Sequence, residues 1–470
     1  MKQINKKTVK KVLSIGLVAA LSVSMFAGCG KKVSDKDADG KTIISVGGYP
    51  NEEGTQKENF DKKVADFEAA NPDVNVEPDT WIFDLQSFYA KAAGGQLPTV
   101  YSTNFTEVEQ CIKGGYSADI TDALSKRGYD GMLNDKVMSV VTDEGRIYGL
   151  PTDAYLLGIA CNIKLFEQAG LLEADGTPKQ PKDWYEMADF AVKIKEATGQ
   201  SGMALCSMSN YGGWLITPIM WSFGVDFMEQ QDDGTWKATF NSDEAVKALE
   251  FVKSLKWEYD VLPDNTLIDD PEQSKLFAGD KVGMILSLGG NVGNFAKYEM
   301  DPDNIGFLGF PAGPERHVTL LGGHVAQIGE DATEDQKDAV LRWLETSNSF
   351  SLTDAFKTSV QNSVAGQLEG NILVGVNDFS VWSANSETRK YKEEYIAENA
   401  NCNINHVKQY NDFIANCPAE IQAEEPVCAQ ELYATLDTCI QQVLTDKNAD
   451  CKAILEKANS DFQQNYLDNI

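Results

Sequence analysis

Histidine is scarce in this chain: His317, His324 and His406 are the only three among 470 residues. None belongs to an HExxH pair, no GxSxG elbow occurs, and no two cysteines stand in CxxC spacing. The usual sequence signatures of zinc hydrolases, serine hydrolases and thiol oxidoreductases are therefore missing. Gly40-Lys41-Thr42 imitates the end of a phosphate-binding loop, but Asp35 occupies the position of its first glycine. Asp35 to Gly40 imitates the first half of a calcium loop, yet Val46 stands where a bidentate glutamate is required. No metal or other cofactor is expected. No repeat of 20–50 residues appears, which excludes a solenoid. Beyond residue 30 no stretch approaches the ~20 uninterrupted apolar residues of a membrane-spanning helix.

Positive charge is also short. Lysine and arginine number 41 against 71 aspartates and glutamates, a net charge of −30. Such a field repels phosphate backbones and anionic lipid, so nucleic-acid binding is not expected. It suits a neutral ligand and mildly favours a cationic one. The basic residues that do occur gather at the start: Lys2, Lys6, Lys7, Lys10 and Lys11 precede an apolar stretch from Val12 to Phe26, then Ala27-Gly28-Cys29. Basic, apolar, small is the order of an export signal, so residues 1–28 are set aside as a signal peptide. The cysteine after Ala-Gly resembles a bacterial lipobox, with Phe26 where leucine is usual. That resemblance implies cleavage and palmitate-type lipidation at Cys29, with 29–40 as a flexible tether and the protein on the extracytoplasmic face of the cell membrane. Of the other eight cysteines, Cys111, Cys161 and Cys206 sit in apolar runs and read as small buried hydrophobes. Cys402, Cys417, Cys428, Cys439 and Cys451 fall late, and their spacing assigns no disulfide.

From residue 41 strand and helix alternate. Thr42–Val46 is a β-branched run ending at Gly47-Gly48, and Phe60, Val64 and Phe67 mark a helix that Asn71-Pro72 stops. A short strand at Val74–Val76, a helix over Asp84–Ala93 and a strand over Pro98–Thr103 follow. The rhythm resumes with a long apolar strand Ala154–Asn162, helices Lys164–Gly170, Asp183–Gly199 and Ser242–Tyr259, and strands Gly202–Cys206 and Val282–Ser287. Two α/β units are expected, each with an open, mostly parallel sheet, and ligands of such sheets bind beyond the carboxyl ends of strands. A chain of 470 residues exceeds the roughly 250–300 at which single cores stop growing.

Five stretches in order are similar to the extracellular solute-binding proteins of sugar ABC importers, the superfamily of maltose-binding protein. They are Ala92-Ala93-Gly94-Gly95-Gln96-Leu97-Pro98, with Thr99 where the family usually has Asp, then Asp143–Pro151, Asn162–Leu171, Pro181-Lys182-Asp183-Trp184 and Phe277–Met284. The resemblance implies a two-lobed, periplasmic-binding-protein-like type II α/β fold with a hinge and an interlobe cleft. It places residues 41–151 plus 305–355 in an N-terminal lobe and 152–304 plus 356–470 in a C-terminal lobe. It implies a monomeric, non-enzymatic receptor that captures a sugar or oligosaccharide and delivers it to the transmembrane subunits of a permease.

A pyranose presents an apolar face and a rim of hydroxyls, so it needs flat rings together with Asp, Asn or His. Such residues follow predicted strands here at Tyr49, Trp81 and Asn104, and Asp153 and Tyr155 sit just past the crossover at Tyr148–Pro151. Asn210-Tyr211-Gly212-Gly213-Trp214 follows another predicted strand, and the resemblance implies that Tyr211 and Trp214 stack on sugar. The family's tryptophan after the Phe277–Met284 motif is absent; Ser287–Asn291 stands there, with Asn291 as a hydrogen-bonding substitute. His324, after Gly322-Gly323, completes the set. Core packing is the competing role for each ring. A receptor for a peptide, polyamine or polyol is the alternative function; a secreted hydrolase or a surface adhesin lacks the residues it would need.

Overall fold

The computed structural model describes residues 35–347 and 351–470, so Cys29 and the export segment lie outside the described residues. The chain divides into two compact units, one ending at Tyr101 and the other running from Ser102 to Ile470.

In the first unit β1 (Thr42–Val46) is central. It pairs in parallel with β2 (Val74–Pro78), Thr42 opposite Val74, and through Val46 with Val100 at the start of β3 (Val100–Asn104). Parallel neighbours need crossovers, and helices α1 (Thr55–Ala70) and α2 (Leu85–Ala93) supply them. Asp84 caps α2 by accepting the Ser87 N–H at 2.9 Å.

The second unit contains sheet strands from distant parts of the chain. β4 (Leu150–Leu156) runs antiparallel to β9 (Val318–Ile328), which pairs in parallel with β10 (Glu420–Ala423). A separate four-stranded sheet has the order β8 (Ile305–Leu308), β5 (Gly158–Asn162), β7 (Val282–Ser287), β6 (Ser201–Ala204). There β5 is antiparallel to both neighbours, and only β6 and β7 run parallel.

Two expectations change. The apolar run Ala154–Asn162 is not one strand: it breaks at the fully buried Leu157, and its halves join different sheets. Both halves are mostly buried, so apolarity runs on without marking the break. The sheets of this unit are mixed rather than mostly parallel, because β4–β9 and β5 with its two neighbours pair antiparallel. The remaining helices follow their signals: α3 (Trp184–Thr198) is capped by Asp183 and ends at left-handed Gly199, and Ser242 caps α5 (Asp243–Trp257).

The intervening α4 (Tyr211–Ser222) was not legible, since Gly212, Gly213 and Pro218 all oppose a helix. It forms because it is buried along its length, every residue from Gly212 to Ser222 being covered. Gly213 is required: a Cβ there would lie 2.1 Å from the Tyr433 carbonyl oxygen on α8 (Ala429–Thr445). Helices α6 (Asp354–Glu369) and α7 (Glu387–Glu398) pack on each other between these elements in sequence. All eight described cysteines are free thiols, and Cys111, Cys161 and Cys206 are buried as expected. Among the described residues no helix is long and apolar enough to cross a membrane.

Candidate ligand-binding cavity

Sheet ends supply most of the site. Asp153 and Tyr155, two apart on β4, project from one strand face. His324 of β9 stands directly opposite Asp153 in the antiparallel register, and a bulge follows it. Asn104 ends β3, and Glu424 follows the last residue of β10. Tyr211 and Trp214 occupy the first turn of α4, and Asn291 ends a 3₁₀ turn after β7. These residues line one cavity of about 580 Å³ within the second unit.

Seven of the residues singled out in the sequence thus converge: Asn104, Asp153, Tyr155, Tyr211, Trp214, Asn291 and His324. Tyr49 and Trp81 belong to the first unit. The Tyr49 hydroxyl donates to Asp61 at 3.0 Å and its ring packs edge-on against Phe60. Trp81 donates from Nε1 to Ser87 at 3.0 Å and packs against Phe83 and Tyr101.

The three cavity rings form a corner. Trp214 meets Tyr211 at 5.1 Å between centroids and Tyr155 at 6.1 Å, both edge to face. Asn291 donates to the Tyr211 hydroxyl at 3.1 Å, which fixes that ring's rim. Burial raises the pKa of both tyrosines, so their hydroxyls stay protonated and able to donate. The first turn of α4 is held from α8: Asp437, almost fully buried, accepts the Asn210 and Gly213 N–H groups, each at 2.7 Å. A carboxylate there satisfies unpaired helix donors and complements the positive end of the helix dipole.

Sequence reasoning missed Asp378, Glu424 and Tyr433, which also line the cavity. Glu424 accepts the Tyr433 hydroxyl at 2.9 Å. Burial lifts its carboxyl to about 7, with the neighbouring Glu107 adding to the rise; hydrogen bonds from Tyr433 and Trp214 oppose it. The position of Glu424 just beyond a strand is the signal that marked Asn104; the short β10 hid it. Three carboxylates, Asp153, Asp378 and Glu424, face the cavity, and its described lining contains no lysine or arginine. Rings with protonated hydroxyls, amides and carboxylates make a surface that both stacks and exchanges hydrogen bonds in either direction.

Mixed α/β units with a concave site of aromatics and hydrogen-bonding groups define a small-molecule binding protein. The chain belongs to the bacterial extracellular solute-binding protein family, which matches residues 51–347. Among its relatives, a binding protein of Brucella abortus (strain 2308) is 27% identical over 308 residues, 64% of this chain and 68% of the relative. The maltodextrin-binding protein of Bacillus subtilis (strain 168) is 25% identical over 357 residues, 72% of this chain and 76% of that protein. The crystal structure of a cyclic α-maltosyl-1,6-maltose binding protein from Arthrobacter globiformis superposes with a TM-score of 0.64 at 21% identity. It covers 92% of this chain and the whole of that one. This likeness shows the fold, the two-lobed type II periplasmic-binding-protein architecture. Family and neighbours are binding proteins.

Proposed function

We propose that the chain is the substrate-binding component of an ABC importer and that its solute is an uncharged saccharide. The observation that carries this reading is the cavity itself, where the Tyr155–Tyr211–Trp214 corner faces carboxylates and the described lining holds no lysine or arginine. The rings match the apolar face of a sugar, and carboxylates and amides match its hydroxyl rim. A phosphate or carboxylate ligand would meet like charge from the lining carboxylates and find no lysine or arginine in the described lining to bind it. Relatives that bind maltodextrin and cyclic maltosyl-maltose support the same class. The reading makes the protein a receptor rather than an enzyme.

A thermal-shift panel of saccharides, polyols, peptides and polyamines tests it, since a ligand at 100 times its dissociation constant stabilises by about 2.7 kcal/mol. A shift with a saccharide supports the reading, and shifts confined to polyamines would replace it. That second reading, a cationic solute, is favoured by the three carboxylates of the lining.

The proposal extends to the rest of the assembly. Lipidation at Cys29 would hold a monomer at the membrane beside the permease, and Cys29→Ala should release it or leave it unprocessed. Closure of the lobes, 41–151 plus 305–355 against 152–304 plus 356–470, would signal occupancy, because only a ligand with different affinity for the two states shifts their balance. Small-angle scattering should show a smaller radius of gyration at saturation, and identical curves would refute closure.

A further inference from the structure

A second cavity, of about 340 Å³, adjoins the first within the same unit. Asp153, Ala154, Gly290 and Asp378 line both, so the two share a wall rather than facing different surfaces. Two of those four are small, and Gly290 has no side chain to close the junction.

The far wall is built from α6, α7 and the segment joining them. Val364, Val374 and Ile396 form an apolar cluster that lines part of this wall. Ser359, Ser363 and Gln367, spaced four apart, present one polar row of α6 to the cavity. Asn377, on the joining segment, buries a side-chain oxygen that accepts no hydrogen bond. A ligand rich in hydroxyls is what such a polar row would satisfy. Asp378 at the junction is held by Lys392 of α7 at 2.6 Å, which ties this wall to the shared one.

We propose that the second cavity is a further subsite of the same binding site, so that the solute is an elongated oligosaccharide whose far end lies between α6 and α7. The inference rests on the saccharide reading above. The larger cavity alone already falls in the ~300–1,000 Å³ range of small-molecule sites; the smaller one extends it in a defined direction.

The test is calorimetric titration of the protein with linear α-1,4- and β-1,4-linked gluco-oligosaccharides of one to six rings. Affinity should climb by about tenfold or more with length and then level off once both cavities are filled. Ser363→Trp, at an exposed position of α6, should erase the climb, leaving long and short ligands within about twofold of each other. Ser359→Trp, one turn earlier, repeats the test should the first variant fail to fold. Equal affinity at all lengths, or a climb that survives both folded variants, overturns the second subsite alone. Binding of no saccharide at any length overturns the saccharide reading as well.

Discussion

His324 Nδ1 lies 3.0 Å from both carboxylate oxygens of Asp153, its cross-strand neighbour in the β4–β9 register. The hydrogen bond to Asp153 raises the imidazole pKa above its ordinary value, and burial only partly opposes it. The native state therefore holds this proton more tightly than the unfolded chain. Its stabilising contribution is complete below the unfolded pKa and is lost as pH rises through the folded one. Both side chains are about half exposed, so the contribution is on the order of 0.5 kcal/mol. In an NMR titration, where only three histidines need assignment, Asp153→Asn should lower the His324 midpoint. An unchanged midpoint would show that the pair does not couple in solution.

Trp214 is the central ring of the aromatic corner. Its loss to Ala should weaken saccharide binding by 1–3 kcal/mol, roughly 5- to 150-fold. Because Trp214 also packs within α4, Trp214→Phe should retain the fold and part of the affinity. Calorimetry on folded Trp214→Ala that returns wild-type affinity would remove the ring from the site.

Glu425 is buried and accepts the Trp221 indole N–H at 2.9 Å, yet burial still raises its carboxyl to about 7. The native state thus binds a proton that the unfolded chain releases at lower pH. Between the ordinary carboxylate range and about pH 7 stability should fall as pH rises, by ~2 kcal/mol from this group. Glu425→Gln should flatten that slope in denaturant titrations at successive pH values. A slope identical to the wild type would show that the carboxylate is ionised in the native protein throughout.

Gly213→Ala should destabilise the fold by about 2 kcal/mol or more, because the new Cβ meets backbone rather than a movable side chain. Gly366→Ala is the control: its Cβ meets nothing within 4 Å, and Ala favours the helix. The first should lower the melting midpoint and the second leave or raise it.

The residues Asp84, Asp183, Ser242 and Gly199 announced their helix boundaries in the sequence, because a cap is a contact between residues a few positions apart. Tyr155, Tyr211 and Trp214 were legible as ring donors beside strands for a similar local reason. What the sequence could not express is partnership at long range. Asp437 stands 224 residues from the Gly213 N–H that it caps, and the glycine looks like a helix breaker until the Tyr433 carbonyl is seen against it. Glu424 reads as one more acid in a chain of −30 charge, and only burial beside Trp214 and Tyr433 turns it into a carboxyl that titrates near neutrality. Leu157 divides two strands of the same apolar run, since hydrophobicity specifies that a residue is buried but not against which sheet. The sequence by itself determined the capped helices, the strands of the first unit and the residue types able to hold a sugar. The tertiary structure alone decided which of them share a cavity, because that depends on desolvation and contact between segments hundreds of residues apart.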